Sequence, residues 1–349
     1  MKATSVSSAA MSNAMRYQQM RMQADLVKAT KESTTGKVAD VGLALGGRTT
    51  QALTFQRDLD RLNGIVDSNA LVAARLTSTQ DSLGQLSDVA QDLLSALTSA
   101  VSGDSSTSIT QAAGASALQQ MTGILNTSVN GEYLFAGTNT DVKPVDDFTA
   151  AGSPAKAAFD ASFVAYFGFT QNDPAAASIT ATQMDNFITT SVEPQFLGSG
   201  WQTNWSNATD QQITSRIALN DTTQTSVSAN SGSIRKLAMA SAMITGLLSS
   251  NISQAARNSV VTRSMSLVGE TLGGLGQLQS QTGLVQKRVS DASDRMKTQV
   301  DLFERHILDL EGVDPAEAAT RVADLTQHIE TSFALTARLQ QMSLLNYLT

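Results

Sequence analysis

The chain has 349 residues, enough for two or three domains, with 41% hydrophobic and 16% charged residues and a net charge of −7. This balance excludes a membrane protein and a charge-rich disordered chain, and it argues against binding to nucleic acid or to an anionic membrane. Cysteine is absent, which excludes disulfides, cysteine-ligated zinc and thiol catalysis, and histidine occurs only as His306 and His328.

The N-terminal segment predicts a helix over residues 5–33 that carries Met11, Met15, Met22 and Leu26 on one side. It has no apolar core of about 7–15 residues, so we expect no cleavable secretory signal. The next segment, residues 34–50, contains four glycines and should interrupt the helix as a joint.

Two long stripes of apolar and small residues predict a pair of long helices. Within each stripe the members are three or four residues apart, and no proline occurs in residues 1–143 or 195–314. The first stripe is Phe55, Leu59, Leu62, Val66, Asn69, Ala73, Leu76, Thr79, Leu83, Leu86, Ala90, Leu93 and Leu97, and the second is Leu267, Thr271, Leu275, Leu278, Thr282, Val285, Val289, Ala292, Met296, Val300, Phe303, Ile307 and Leu310. Such matched stripes predict a mainly α fold, with a long antiparallel helical bundle or coiled coil formed by the N- and C-terminal arms.

The segment between the arms has a different composition. Twelve of the seventeen aromatic residues fall between Tyr133 and Trp205, and four of the five prolines lie between Pro144 and Pro194. No lysine or arginine occurs between Lys156 and Arg216. Proline, aromatic residues and turn formers together predict a compact, β-rich insert domain over residues 137–230.

The C-terminal arm contains a stop and a restart. Gly312 can end the long helix, and Asp314 can then cap a final helix that has Pro315 at its first position. Residues 339–348 are apolar around much of the helix, so something must cover them. We therefore predict an assembly interface made of Met11, Met15, Met22, Leu26, Leu335, Leu339, Met342, Leu344, Leu345 and Leu348.

The sequence contains no nucleotide-binding loop, metalloprotease motif or nucleophile elbow, so we expect no catalytic residue, no cofactor and no metal site. His306 and His328 are expected to be surface or packing residues. A distant alternative is a carbohydrate-acting enzyme whose insert stacks Trp201 and Trp205 on a sugar, although core packing explains both side chains more simply.

A family resemblance is carried by residues 129–140, which read VNGEYLFAGTNT. This segment, with Asn130, Gly131, Tyr133, Phe135 and Gly137, resembles the N-G-x-Y-L-F-A-G-T segment of the hook–filament junction proteins of bacterial flagella (hook-associated protein 3), within the flagellin superfamily. The ending LQQMSLLNYL, the DPAEAA stretch at 314–319 and the STTGK stretch at 33–37 are also similar to that family. Where the family continues with a basic residue and an S-D-D-P-like turn, this chain has VADVG.

The resemblance implies a structural adaptor between the hook and the filament that is not an enzyme. Its expected partners are further copies of itself in a ring or helical assembly, the preceding hook-associated junction protein, flagellin and an export chaperone, with no nucleic acid and no membrane insertion. It also implies an extracellular, flagellar location, reached through type III export without a cleaved signal. The main alternative is a flagellin that forms the filament itself.

The expected organisation follows from both lines of reasoning. Residues 1–48 and 314–349 are expected to form an inner assembly layer of terminal helices, with the joint at 34–50. Residues 49–136 and 231–313 are expected to form the long helical bundle. Residues 137–230 are expected to form the outward lobe.

Overall fold

The computed structural model describes residues 8–103, 105–249 and 251–348, without the side chains of residues 8, 9, 12 and 339–348. The chain divides into two compact units, and the N- and C-terminal arms contribute to both. The first unit is Met1–Gly64 with Met296–Thr349, and the second is Ile65–Arg295. Within the described ranges, no helix combines the length and the apolar character needed to cross a bilayer.

The first unit is built from helices of both arms. Its elements are α1 (Ser8–Thr35), α2 (Val41–Leu45), a 3₁₀ turn (Gly46–Arg48), the start of α3 (Thr49–Val101), the end of α10 (Gln254–Glu311) and α11 (Pro315–Leu348). The restart predicted before the last helix is present, because the carboxylate of Asp314 accepts a hydrogen bond from the Ala316 amide at 2.8 Å. Helix α1 packs along α11.

The second unit contains the remaining parts of α3 and α10. Its other elements are α4 (Thr107–Leu125), hairpin β1–β2 (Ser128–Val129 and Glu132–Tyr133), α5 (Pro154–Phe167), α6 (Ala181–Phe187), α7 (Glu193–Phe196), α8 (Gly200–Asn204), hairpin β3–β4 (Thr214–Ala218 and Asp221–Gln224) and α9 (Gly232–Leu247). Both hairpins are antiparallel. A 3₁₀ turn at Pro174–Ser178 and a π-helical turn at Ile188–Val192 complete the insert.

The predicted stripes form the buried faces of the two long helices. None of the thirteen positions of the first stripe is exposed, and the same holds for the second stripe. Asn69 lies within the first stripe and is 1% exposed, which is unusual for an amide. Its Nδ2 donates to the carbonyl oxygen of Ile217 at 2.9 Å and to Oγ of Ser293 at 3.0 Å. These bonds satisfy Nδ2, although Oδ1 of the same amide is buried without a partner, and they tie hairpin β3–β4 to α3 and α10.

The insert contains fewer strands than its composition predicts. Within its described residues, hairpin β3–β4 is accompanied by short helices, and aromatic side chains from these helices and from the loops between them form the core. The ring of Trp205 stacks on Phe148 with centroids 5.0 Å apart and on Trp201 at 5.5 Å. Offset aromatic packing of this kind fills a core as well between helices as between strands.

The packing of α4 against α9 depends on one glycine. A Cβ atom at Gly114 would lie 2.6 Å from Cγ2 of Ile244 and 3.1 Å from the carbonyl oxygen of Ser241. We expect Gly114→Ala to lower the free energy of unfolding by roughly 1–3 kcal/mol through overpacking, partly offset by better helix propensity. Urea unfolding followed by far-ultraviolet circular dichroism measures the change.

Gly123 is the matched control on the same helix. Nothing lies within 4 Å of a Cβ atom built at Gly123. Gly123→Ala should therefore raise the free energy of unfolding by about 0.5–1 kcal/mol, since alanine is the better helix former. Equal effects of the two substitutions would contradict the tight contact at Gly114.

Candidate functional site

The terminal helix pair holds the predicted N-terminal interface residues. Met15, Met22 and Leu26 are half-buried, whereas Met11 is 44% exposed. Met15 contacts α11 directly, because Oγ1 of Thr336 lies 4.0 Å from its Sδ. Spacings of seven and four residues place Met22 and Leu26 on the same face of α1 as Met15. This face belongs to the seam between α1 and α11.

Of the predicted C-terminal interface residues, Leu335 is the one whose side chain falls within the described part of α11. Helical spacing also relates the less exposed positions of α11, which are Ala318, Val322, Leu325, Ile329, Ser332 and Thr336. Leu335 is 55% exposed and lies off this seam, as does Phe333, which is 51% exposed. The side chains of Leu339, Met342, Leu344, Leu345 and Leu348 fall outside the described residues.

Helix α1 has a second apolar face, which the interface predicted from the sequence does not include. Tyr17, Met20 and Val27 are 69%, 61% and 70% exposed, and their spacing places them opposite the seam. The signal was available, because apolar residues of α1 follow two separate helical stripes. A helix with apolar residues on two faces buries one face against its partner helix and leaves the other for further contacts.

The two joints of the first unit are hydrogen-bonded to each other. Gly36 ends α1 with a φ of +66°, and Lys37 pairs with Gly312 as an antiparallel β-bridge. The Val38 amide donates to the carbonyl oxygen of Glu311 at 2.8 Å, and the Val313 amide donates to that of Gly36 at 2.9 Å. We call this pair of bridged segments, residues 36–38 and 311–313, the clasp.

The unusual sequence after Lys37 takes part in the same ordered joint. The Ala39 amide donates to Oε1 of Glu32 at 3.2 Å, while Nζ of Lys31 donates to the Ala39 carbonyl at 2.9 Å. Glu32 also pairs with Arg321 of α11 at 3.4 Å. Asp40 then caps α2 by accepting from the Leu43 amide at 3.0 Å. The joint is thus fixed by side chains of α1 and α11.

The motif segment forms a tight hairpin anchored on α3. Asn130 and Gly131 both have positive φ values, 53° and 85°, as a two-residue hairpin turn requires. Arg75 of α3 donates to the carboxylate of Glu132 at 2.6 Å and to the carbonyl oxygen of Tyr133 at 2.8 Å. Beyond the hairpin, Phe135 is fully buried.

Gly137 completes the motif with a left-handed φ of +67°. A Cβ atom there would lie 2.4 Å from the carbonyl oxygen of Thr209 and 2.7 Å from that of Gln211. Of the five motif residues, Asn130, Gly131 and Gly137 therefore set backbone conformation, and Phe135 fills the core. Tyr133 is half-buried.

The charged groups with shifted pKa values have structural roles. The hydrogen bond from Lys236 at 2.6 Å lowers the pKa of the Glu270 carboxyl. Burial lowers the pKa of the Arg235 guanidinium, which donates to the carbonyl oxygens of Phe196 and Gly198. Both cations thus tie α9 to a neighbouring segment.

The two tryptophans considered for sugar binding belong to the packed core, and the two histidines are exposed on their helices. Trp201 and Trp205 are 0% and 1% exposed, so neither ring offers a face on which a sugar could stack. His306 stacks on Phe55 with centroids 5.4 Å apart, and His328 is exposed on α11. In the part of the chain that the structure describes, no three acidic or histidine side chains form a possible metal site.

Comparison with known proteins identifies the family. Residues 6–140 match the model of the bacterial flagellin N-terminal helical region, and residues 265–348 match that of the bacterial flagellin C-terminal helical region. Together the two matches cover more than half of the chain. The chain belongs to the flagellin family. The matched ranges include the terminal pair, the clasp and the hairpin motif.

The fold of this flagellin-family chain is similar to that of a solved structure described as a flagellar hook-associated protein from Vibrio parahaemolyticus. The TM-score is 0.52 at 10% sequence identity, and the match covers 76% of this chain and 97% of the other. A search of curated proteins gives no significant match. Membership of the flagellin family makes the chain a structural protein that self-assembles in the extracellular flagellar polymer.

Proposed function

We propose that this flagellin-family chain is the structural adaptor that joins the hook of the flagellum to its filament. The observation that carries the proposal is the segment V-N-G-E-Y-L-F-A-G-T, which resembles that of the junction proteins. Arg75 and Gly137 fix the backbone of this segment, so the motif residues adopt a defined local structure. The similar solved structure is described as a hook-associated protein, which agrees with the proposal.

The adaptor has different neighbours at its two ends. Copies of the chain pack around an axis in a ring or helix, with the preceding hook-associated protein on one side and the first flagellin subunits on the other. Identical subunits in such head-to-tail contacts form rings or helical assemblies. The chain is exported through the type III apparatus of the flagellum without a cleaved signal, and an export chaperone accompanies it.

The terminal helices form the inner assembly layer in this proposal. Residues 1–48 and 314–349 supply that layer, residues 49–136 and 231–313 supply the surrounding bundle, and residues 137–230 supply the outward lobe. The exposure of Met11, Tyr17 and Leu335 supports a subunit contact at the terminal pair, since apolar side chains on paired helices gain stability when a neighbour buries them.

Electron microscopy of motile cells of the source bacterium tests the adaptor role. Cells that lack this chain should carry bare hooks and release flagellin into the medium, and a plasmid-borne copy should restore filaments. Normal filaments in the deletion strain would refute the proposal.

The second candidate is a filament flagellin, which is favoured by the description of both matching family models. The two roles differ in copy number, because an adaptor fills about one ring whereas a filament contains thousands of subunits. Immunogold labelling at the hook–filament boundary supports the adaptor, and labelling along the whole filament supports the flagellin.

A further inference from the structure

The outward face of α1 combines apolar and basic side chains. Tyr17, Met20 and Val27 are exposed there, and Arg21 and Lys28 are exposed beside them. The side chains of Arg21 and Lys28 make no hydrogen bond or ion pair with any other residue that the structure describes. We call these five residues the basic face of α1.

One exposed side of α11 has the opposite charge. Glu317, Asp324 and Leu335 are exposed, and spacings of seven and eleven residues place them along one line of the helix, which also carries the exposed His328. Glu317 lies 4.0 Å from Arg321, at the limit of an ion pair, and Asp324 has no such partner within the described ranges. We call these three residues the acidic face of α11.

The two faces are opposite in charge, and their residues have the same spacing along the helix. Tyr17 and Lys28 are eleven residues apart on α1, and Asp324 and Leu335 are eleven residues apart on α11. Eleven residues make about three turns and about 16 Å of helix. When the two helices lie side by side and antiparallel, the register that places Lys28 opposite Asp324 therefore also places Tyr17 opposite Leu335.

We propose that the basic face of α1 docks on the acidic face of α11 of a second copy of this chain. The inference rests on the proposed function, because it specifies which surfaces the assembling subunits bring together. Two copies of the same face would repel each other, so the contact is between unlike faces. Such a contact leaves one basic and one acidic face free in every pair, and the free faces recruit the next copies.

Charge reversal tests the pairing in self-association of the full chain. Lys28→Glu and Asp324→Lys should each raise the concentration required for assembly at low salt by roughly five- to tenfold, since each replaces an attraction by a repulsion. The double variant K28E/D324K should assemble at nearly the wild-type concentration, because its faces are again opposite in charge. An equimolar mixture of the two single variants should also assemble at nearly the wild-type concentration. Sedimentation and electron microscopy provide the readout.

Glu330→Lys is the matched control. Glu330 is an exposed carboxylate of α11, six residues from Asp324 and therefore about a third of a turn around the helix. Its reversal should change the assembly concentration by less than twofold, and circular dichroism should show equal helicity in all variants. If Asp324→Lys behaves like Glu330→Lys, or if the double variant fails to recover, the pairing is wrong while the proposed function stands. A wild-type chain that never self-associates also overturns the pairing, whereas the adaptor role is decided by the deletion strain.

Discussion

Gly137→Ala should be among the most damaging single substitutions in the motif segment. The φ of +67° disfavours any side chain, and the new methyl group would meet the carbonyl oxygens of Thr209 and Gln211. Left-handed strain costs about 1–2 kcal/mol and overpacking about 1–3 kcal/mol, so we expect a loss of roughly 3 kcal/mol in the free energy of unfolding. Denaturant titration followed by tryptophan fluorescence reports on this region, because both tryptophans lie in the insert.

Gly152→Ala separates the cost of backbone strain from the cost of overpacking. Gly152 has a φ of +79°, but nothing lies within 4 Å of a Cβ atom built there. This variant should lose the strain alone, about 1–2 kcal/mol. A Gly137→Ala protein that is no less stable than the Gly152→Ala protein would show that the segment moves away from Thr209 at little cost.

Trp205→Ala should have the largest effect on the insert. The side chain is 1% exposed and its ring contacts those of Phe148, Phe196 and Trp201. Truncation of a buried tryptophan leaves a cavity and typically costs about 3–5 kcal/mol. Trp201 remains as the fluorescent probe, so the unfolding midpoint in urea can be compared directly with that of the wild type.

An exposed aliphatic residue of the same insert provides the control. Val164 of α5 is 40% exposed, and Val164→Ala should change the free energy of unfolding by about 0.5 kcal/mol or less. Similar unfolding midpoints for Trp205→Ala and Val164→Ala would mean that the aromatic cluster is not the stabilising core of the insert.

The long helices could be predicted because their signal is local. Every stripe residue is three or four positions from the next, so the burial of Leu83, Leu86 or Leu275 can be predicted from residues that are close in sequence. The partners of Asn69 could not be predicted in this way. Its amide meets Ile217 and Ser293, which are far away in sequence and are brought close by the tertiary fold.

The insert shows why composition alone is a weak guide. Aromatic and β-branched residues favour strands on average, yet Phe159, Phe163 and Phe167 are spaced by four residues and belong to α5. This helical spacing was the better signal. On α1, likewise, helical spacing predicts the apolar stripe with Met15 and Met22, but which stripe α11 covers depends on the tertiary fold, and Tyr17 lies on the uncovered one.

The clasp has a consequence for the order in which the chain acquires its structure. Its hydrogen bonds join Gly36 to Val313 and Val38 to Glu311, residues that are separated by about four fifths of the chain. Contacts of such high sequence separation carry a large loop-closure cost, so they form late in folding. In a polypeptide that emerges with its N-terminus first, residues 36–38 therefore stay unpaired until residues 311–313 arrive. Both joints then become ordered in the same event.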